Sequence, residues 1–155
     1  QATSPVRESS DIENGLKNTQ WPARLEFIER NVLVDCAHNP DGMAVFADEI
    51  KLIMKDRNFK SLIFIFGALK DKNASGMLQK ILELNPKSII FTEANSDRAL
   101  SVKELEGIFT KYNNNKTSIK LIKKPKLALE YAKKTAGKDG LIAAAGSIYM
   151  VGEII

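Results

Sequence analysis

The sequence predicts an α/β domain built on a doubly wound, mostly parallel sheet with helices on both faces. Two observations carry this expectation. Short apolar runs of strand length recur at Val32–Val34, Leu62–Phe66, Ser88–Thr92, Ile119–Ile122 and Leu141–Ala145, and continuous runs of that kind suit strands covered on both faces. Between them lie stretches of roughly 10–15 residues with helical spacing, and such alternation indicates strand–helix–strand units. Parallel neighbours need crossover connections, and right-handed crossovers make double winding the simplest arrangement.

Taken in order, residues 1–9 are polar and expected to be disordered. Ser10 and Glu13 form a capping-box pattern, with the hydroxyl at the N-cap and the carboxylate at N3. The short helix they open is expected to end near Asn18, before Trp21-Pro22 breaks the pattern. It has no partner in its own neighbourhood and reads as the tail of an upstream unit. Arg24–Glu29 alternates Leu25 and Phe27 with charged neighbours, like a half-buried strand. After Val32–Val34, an apolar stripe at Met43, Phe46, Ile50, Ile53 and Met54 marks a helix. Met77, Ile81 and Leu84 suggest the helix that follows Leu62–Phe66. Beyond Ser88–Thr92, Ser101 and Glu104 form a second capping box, opening a helix with Leu105, Ile108 and Phe109 facing inward. Asn113-Asn114-Asn115 reads as a loop before Ile119–Ile122, and Leu127, Leu129, Tyr131 and Ala132 sit on the next helix. Leu141–Ala145 is the last strand and Ser147–Ile155 the last helix.

The 155 residues suit one domain with a sizeable core. The longest apolar runs, such as Ser61–Leu69, fall short of the ~20 residues that span a bilayer. The start, Gln-Ala-Thr-Ser-Pro, has no apolar signal core. It also has no initiator Met, which suggests a processed chain or a cloned fragment. A single cysteine, Cys36, forbids an internal disulfide, and with one histidine, His38, it cannot complete a four-ligand zinc site. A reducing, cytoplasmic setting and a monomer are expected. The net charge is +4, and nine lysines fall between Lys111 and Lys138. That face could attract an anion or simply be solvated. No aromatics interleave with it as a single-strand nucleic-acid platform requires, and neither nucleic acid nor membrane is expected as a partner.

In open α/β sheets ligands sit beyond the carboxyl ends of the strands. Two such ends carry unusual residues. After Val32–Val34 comes Asp35-Cys36-Ala37-His38-Asn39-Pro40. Asn39 can cap the next helix, and Pro40 at its first position forgoes no hydrogen bond. Asp35 and His38 therefore flank the positive end of a helix, where anions are favoured, or else merely hold the turn. Cys36 leaves the strand near the core and reads as a buried thiol. The second end, Ala143-Ala144-Ala145-Gly146-Ser147, has small residues that allow close approach of a backbone or ligand. Plain N-capping is the favoured role for Ser147. Motifs of an independent enzyme are missing. There is no Gly-x-x-x-x-Gly-Lys-Ser/Thr phosphate loop, no Gly-x-Gly-x-x-Gly and no Gly-x-Ser-x-Gly elbow. No catalytic residue and no metal ligand is assigned.

Four segments resemble, in order, motifs of the C-terminal domain of folylpolyglutamate and dihydrofolate synthases. Trp21-Pro22-Ala23-Arg24 is similar to their Trp-Pro-Gly-Arg, and Asp35-Cys36-Ala37-His38-Asn39-Pro40 to their Asp-x-Ala-His-Asn-Pro turn. Gly67-Ala68-Leu69-Lys70-Asp71-Lys72-Asn73 resembles their Gly-x-x-x-Asp-Lys-Asp loop, and Gly146–Glu153 their Gly-Ser-Leu-Tyr-Leu-Val-Gly-Glu segment. The resemblance implies a Rossmann-like domain, residues 21–155, related to the Mur ligases. Residues 1–20 would then hold a disordered start and the tail of an upstream P-loop ATPase domain. It further implies an ATP- and magnesium-dependent ligase that adds L-glutamate to dihydropteroate or folates through an acyl phosphate. The magnesium ligands would lie upstream, and this chain would be inactive alone. Arg24 and Asp35 would contact ATP, His38 and Ser147 would hold glutamate, and Asp71 and Lys72 would be loop contacts. A cell-wall Mur ligase domain and a stand-alone binding module are the alternatives. Two departures stand out: Ala23 replaces a glycine, and Asn73 replaces the second aspartate.

Overall fold

The computed structural model describes residues 21–112 and 117–155. The expected helix over Ser10–Asn18 and the Asn113–Asn115 loop lie outside them. Six strands are present: β1 (Glu26–Glu29), β2 (Val32–Val34), β3 (Ser61–Phe66), β4 (Ser88–Phe91), β5 (Ser118–Leu121) and β6 (Gly140–Ala145). The helices are α1 (Pro40–Asp56), α2 (Ala74–Leu82), α3 (Val102–Phe109), α4 (Pro125–Ala136) and α5 (Ile148–Ile154). The strands form one sheet in the order β1-β2-β6-β3-β4-β5. Only β1 runs antiparallel, against β2; the other pairings are parallel. This is the expected mostly parallel arrangement.

Double winding follows from the two-residue period of the strands. In β3, Leu62, Phe64 and Phe66 point to one face, where Met43, Phe46 and Ile50 of α1, Met77 and Ile81 of α2, and Leu105 and Phe109 of α3 cover them. Ile63 and Ile65 point to the other face, under Ala128 and Ala132 of α4 and Met150, Val151 and Ile154 of α5. The large rings lie on the first face, edge-on in a chain: Phe46–Phe64 at 6.2 Å, Phe66–Phe91 at 6.4 Å and Phe91–Phe109 at 5.6 Å. Edge-to-face geometry suits the ring quadrupoles. The helix over α4 turns its alanines inward, so Leu127 and Tyr131 stay at the surface.

The first strand is shorter than the alternation suggests. Ala23 and Leu25 have φ of +57° and +48°, which takes the chain out of the extended region before Glu26. Two carboxylates impose this curl. Glu26 Oε2 accepts from the Ala23 amide at 2.7 Å, and Asp35 Oδ2 accepts from the Leu25 amide at 2.9 Å. Ala23 therefore occupies a left-handed position natural to the glycine of the related motif. Local alternation alone could not report that turn.

Helix ends match their sequence signals. Asn39 Oδ1 caps α1 by accepting from the Gly42 amide at 2.8 Å, with Pro40 at the first position. The Ser101–Glu104 capping box of α3 is formed in both directions. Asn73 caps α2, accepting from the Gly76 amide at 2.9 Å. That explains the departure at Asn73, because Asn and Asp are equally good caps. Asn73→Asp is expected to leave stability within about 0.5 kcal/mol, while Asn73→Ala should lose about 1 kcal/mol. Urea denaturation of both variants checks this; equal losses would mean the side chain has another task.

Candidate functional site

Winding places the site. The helices that follow β2 and β3, α1 and α2, lie on one face. The helix that follows β6, the strand between them, lies on the other. The carboxyl end of β6 is thus a switch point, where the loops diverge and leave a crevice.

The small residues of β6 allow its end to be crowded by neighbouring backbone. The Gly146 amide donates to Ala37 O at 2.8 Å, and the Asp35 amide donates to Ala144 O at 3.0 Å. These bonds fasten the turn after β2 to the turn after β6. Gly146 has φ of +116°, and a Cβ there would lie 2.4 Å from Gly67 O and 2.6 Å from the Phe66 ring. Glycine is therefore required by both conformation and space.

The crevice holds a cavity of about 150 Å³ whose lining includes His38, Lys72, Arg98, Ser147 and Tyr149. His38 comes from the end of β2, Lys72 from the loop after β3, and Arg98 from the loop after β4. Ser147 was expected to cap the last helix through its side chain. Its backbone does so, with the Val151 amide donating to Ser147 O at 3.0 Å, but its hydroxyl makes no cap bond. Ser147 is 1% exposed, and its Oγ is the one buried side-chain polar atom without a partner among the described residues. Leaving a buried hydroxyl unbonded costs about 1–3 kcal/mol. An unsatisfied buried group in a native fold calls for an explanation such as a bound polar atom or an ordered water.

His38 Nδ1 lies 2.9 Å from Cys36 O. Asp71 Oδ1 accepts from the Arg98 guanidinium at 2.8 Å, and its other oxygen lies 3.4 Å from Lys72 Nζ. The Arg98 hydrogen bond holds the Asp71 carboxyl below the usual carboxylate range. Exposed ion pairs add little stability, so what the pair contributes is placement of two cations on one wall. The loops bearing them are joined by backbone bonds, with the Lys70 amide donating to Arg98 O and the Leu100 amide to Ala68 O.

A second cavity, about 420 Å³, opens on the other side of the β2 turn and is lined by Arg24, Asp35, Val45 and Glu49, among others. Asp35 is already employed there: Oδ2 accepts from Leu25 and Oδ1 from the Ala37 amide at 2.7 Å. Cys36 lines neither cavity and packs, half-buried, against the core cluster of the α4–α5 face, where burial pushes its thiol pKa up with help from the Asp35 charge. The four residues singled out in the sequence therefore separate into two pairs, His38 with Ser147 and Arg24 with Asp35. Asp71 holds the cations but is not itself in the lining of either cavity. Arg98 and Tyr149 were not singled out; a polar loop beyond β4 was the available signal for Arg98. No group of three His, Cys, Asp or Glu side chains converges as a metal cage among the described residues. No helix among them is long and apolar enough to cross a membrane.

A doubly wound domain with a small cavity at its switch point is of Rossmann-like type. Comparison with known proteins gives its family. The chain belongs to the Mur ligase, glutamate ligase domain family, which it matches over residues 23–148. It is similar to the dihydrofolate synthase/folylpolyglutamate synthase of Bacillus subtilis, 29% identical over 147 residues, covering 92% of this chain and 32% of the relative. It is similar also to a probable bifunctional folylpolyglutamate synthase/dihydropteroate synthase of Haloferax volcanii, 27% identical over 151 residues, covering 96% of this chain and 17% of the relative. The chain thus spans about a third or less of these relatives. Escherichia coli FolC in complex with DHPP and ADP superposes with a TM-score of 0.81 at 18% identity, over 95% of this chain and 33% of that one. Mycobacterium tuberculosis folylpolyglutamate synthase, complexed with ADP and AMPPCP, gives 0.77 at 24% identity over 95% and 34%. The fold and family expected from the four motifs are those found.

Proposed function

We propose that this chain is the C-terminal domain of an ATP-dependent ligase that adds L-glutamate to dihydropteroate or folates. The observation that carries this proposal is the unpartnered Ser147 hydroxyl, in a cavity with His38 and two cations at the switch point. The names of the curated relatives supply the substrate class. In this scheme an upstream P-loop domain, whose tail falls within residues 1–20, holds ATP and magnesium, and residues 21–155 close over it. An acyl phosphate forms on the folate carboxylate, and the glutamate amine displaces phosphate. His38 and Ser147 hold glutamate in the smaller cavity, with Lys72 on the same wall. Arg24 and Asp35 face ATP from the larger one, Arg24 as a planar donor to phosphate. A cytoplasmic setting suits these substrates.

The chain by itself is expected to hydrolyse no ATP and ligate no glutamate, because positioning of a transferred phosphoryl group depends on a phosphate loop that it lacks. Joined to an upstream P-loop domain, it is expected to release ADP only when a folate and glutamate are both present. Coupled ADP assays decide this. Sustained turnover by the purified chain alone would overturn the division of labour. ADP release that follows another amino acid and ignores glutamate would overturn the substrate.

A further inference from the structure

In the proposed glutamate site the His38 imidazole has two groups of the amino acid to meet, the amine or a carboxylate. The geometry points to an answer: we infer that His38 is fixed in its Nδ1–H tautomer and presents a bare Nε2 lone pair to the amine of the incoming amino acid. This rests on the proposed function and deepens it. The partner of Nδ1 is a backbone carbonyl, Cys36 O at 2.9 Å, and a carbonyl oxygen only accepts. The proton must therefore sit on Nδ1. In the neutral ring Nε2 is then an acceptor with no hydrogen to give.

An acceptor at this position sorts the ligand by polarity. A carboxylate has only lone pairs and would be repelled by a bare Nε2. An ammonium or amine has hydrogens to donate and is matched to it. The two cations of the cavity have the opposite character. Lys72 and Arg98 are donors without acceptor capacity, and the Ser147 hydroxyl is free to donate. Asp71 fixes the guanidinium of Arg98 by a bond of 2.8 Å, which keeps the cation on that wall. Among the described lining side chains His38 is thus the one restricted to accepting, while Lys72 and Arg98 only donate and the hydroxyls of Ser147 and Tyr149 can do either. That pattern fits an amino acid whose amine lies at the end of β2 and whose carboxylates lie toward Ser147 and Arg98. Its volume, about 150 Å³, is that of about five liquid waters, a space fit for a small ligand of this kind.

The charges in the cavity place the carboxylates. Lys72 and Arg98 attract them and repel an ammonium, while Asp35 begins the same turn as His38 and faces the other cavity. With no carboxylate among the described lining residues, the amine is left to the neutral imidazole lone pair, away from the two cations.

His38 is the sole histidine, so long-range ¹H–¹⁵N NMR of the imidazole reads its tautomer without ambiguity. At pH about 8, where an ordinary imidazole is neutral, the free chain is expected to show Nδ1 protonated and Nε2 bare. Millimolar glutamate should shift the Nε2 resonance and the backbone amides of Arg98 and Ser147. Glutarate, the same diacid without the amine, should shift those amides and leave Nε2 in place. His38→Asn retains a donor for Cys36 O but lacks the second ring nitrogen. It should weaken glutamate binding about tenfold or more and leave glutarate binding unchanged. An Nε2-protonated ring overturns the inference, and does so without touching the glutamate assignment if glutamate still shifts Ser147 and Arg98. Glutarate moving Nε2 as far as glutamate, or losing affinity equally in His38→Asn, shows that the ring meets a carboxylate and also overturns it. If neither acid shifts Ser147 or Arg98, the glutamate assignment itself falls and takes the amine contact with it.

Discussion

Gly146→Ala is expected to destabilise the domain by roughly 2–6 kcal/mol, summing backbone strain of about 1–3 kcal/mol with overpacking of similar size. The φ of +116° is hostile to any side chain, and the added methyl would meet Gly67 O at 2.4 Å and the Phe66 ring at 2.6 Å. Neither neighbour can yield easily. Gly67 is itself crowded, since a Cβ on it would lie 2.8 Å from Thr92 O, and Phe66 is fully buried between Phe91 and the core. In a chain of this size the midpoint of thermal unfolding should fall by roughly 5–20 °C. Gly107 and Gly152 serve as controls, because nothing among the described residues lies within 4 Å of a Cβ at either position and each is on a helix. Alanine there should raise stability by up to about 1 kcal/mol. Calorimetry of the three variants separates the cases. A Gly146→Ala chain within 1 kcal/mol of the parent would mean that the end of β6 is loose and the cavity beside it is not preformed.

His38→Ala, in the complete ligase, is expected to raise the Michaelis constant for glutamate at least about tenfold, the worth of one hydrogen bond to a charged ligand. The constant for ATP should stay within about threefold. Asp35→Ala should show the opposite bias, because Asp35 and Arg24 line the other cavity. It should also lower stability by about 1–3 kcal/mol, since the Leu25 and Ala37 amides lose their acceptor. Steady-state kinetics with each substrate varied in turn, on variants confirmed as folded, make the comparison. If both variants weaken ATP and glutamate equally, the turn only holds its own shape. If neither constant moves, the domain binds substrate elsewhere and a stand-alone binding module becomes the better description.

Most of the fold was legible because each element carries its own periodicity. The apolar stripe from Met43 to Met54 fixes α1, and the continuous runs at Leu62–Phe66 and Leu141–Ala145 fix two central strands. The caps at Asn39 and Ser101 are local as well, because each side chain bonds an amide three residues on; the same bond at Asn73 was not read in advance. The start of β1 was less legible. Leu25 alternates like a strand residue, yet the carboxylate of Asp35, ten residues away, draws its amide into a turn.

The sequence by itself determined most of the strands and helices, the caps at Asn39 and Ser101, and which segments carry unusual chemistry. All of these depend on neighbours within about one or two turns of chain. Only the tertiary structure decided what those segments do together. Asp35 and His38 are three residues apart, yet they line different cavities, and the turn between them is held by bonds to Ala144, Gly146 and Ala23 that no local pattern reports. Ser147 reads as a simple cap until packing buries its hydroxyl without a partner. Arg98 meets Asp71 across 27 positions because β4 lies beside β3. Periodicity reports the faces of one element, whereas a site at a switch point is created by the order of strands, which no single segment encodes.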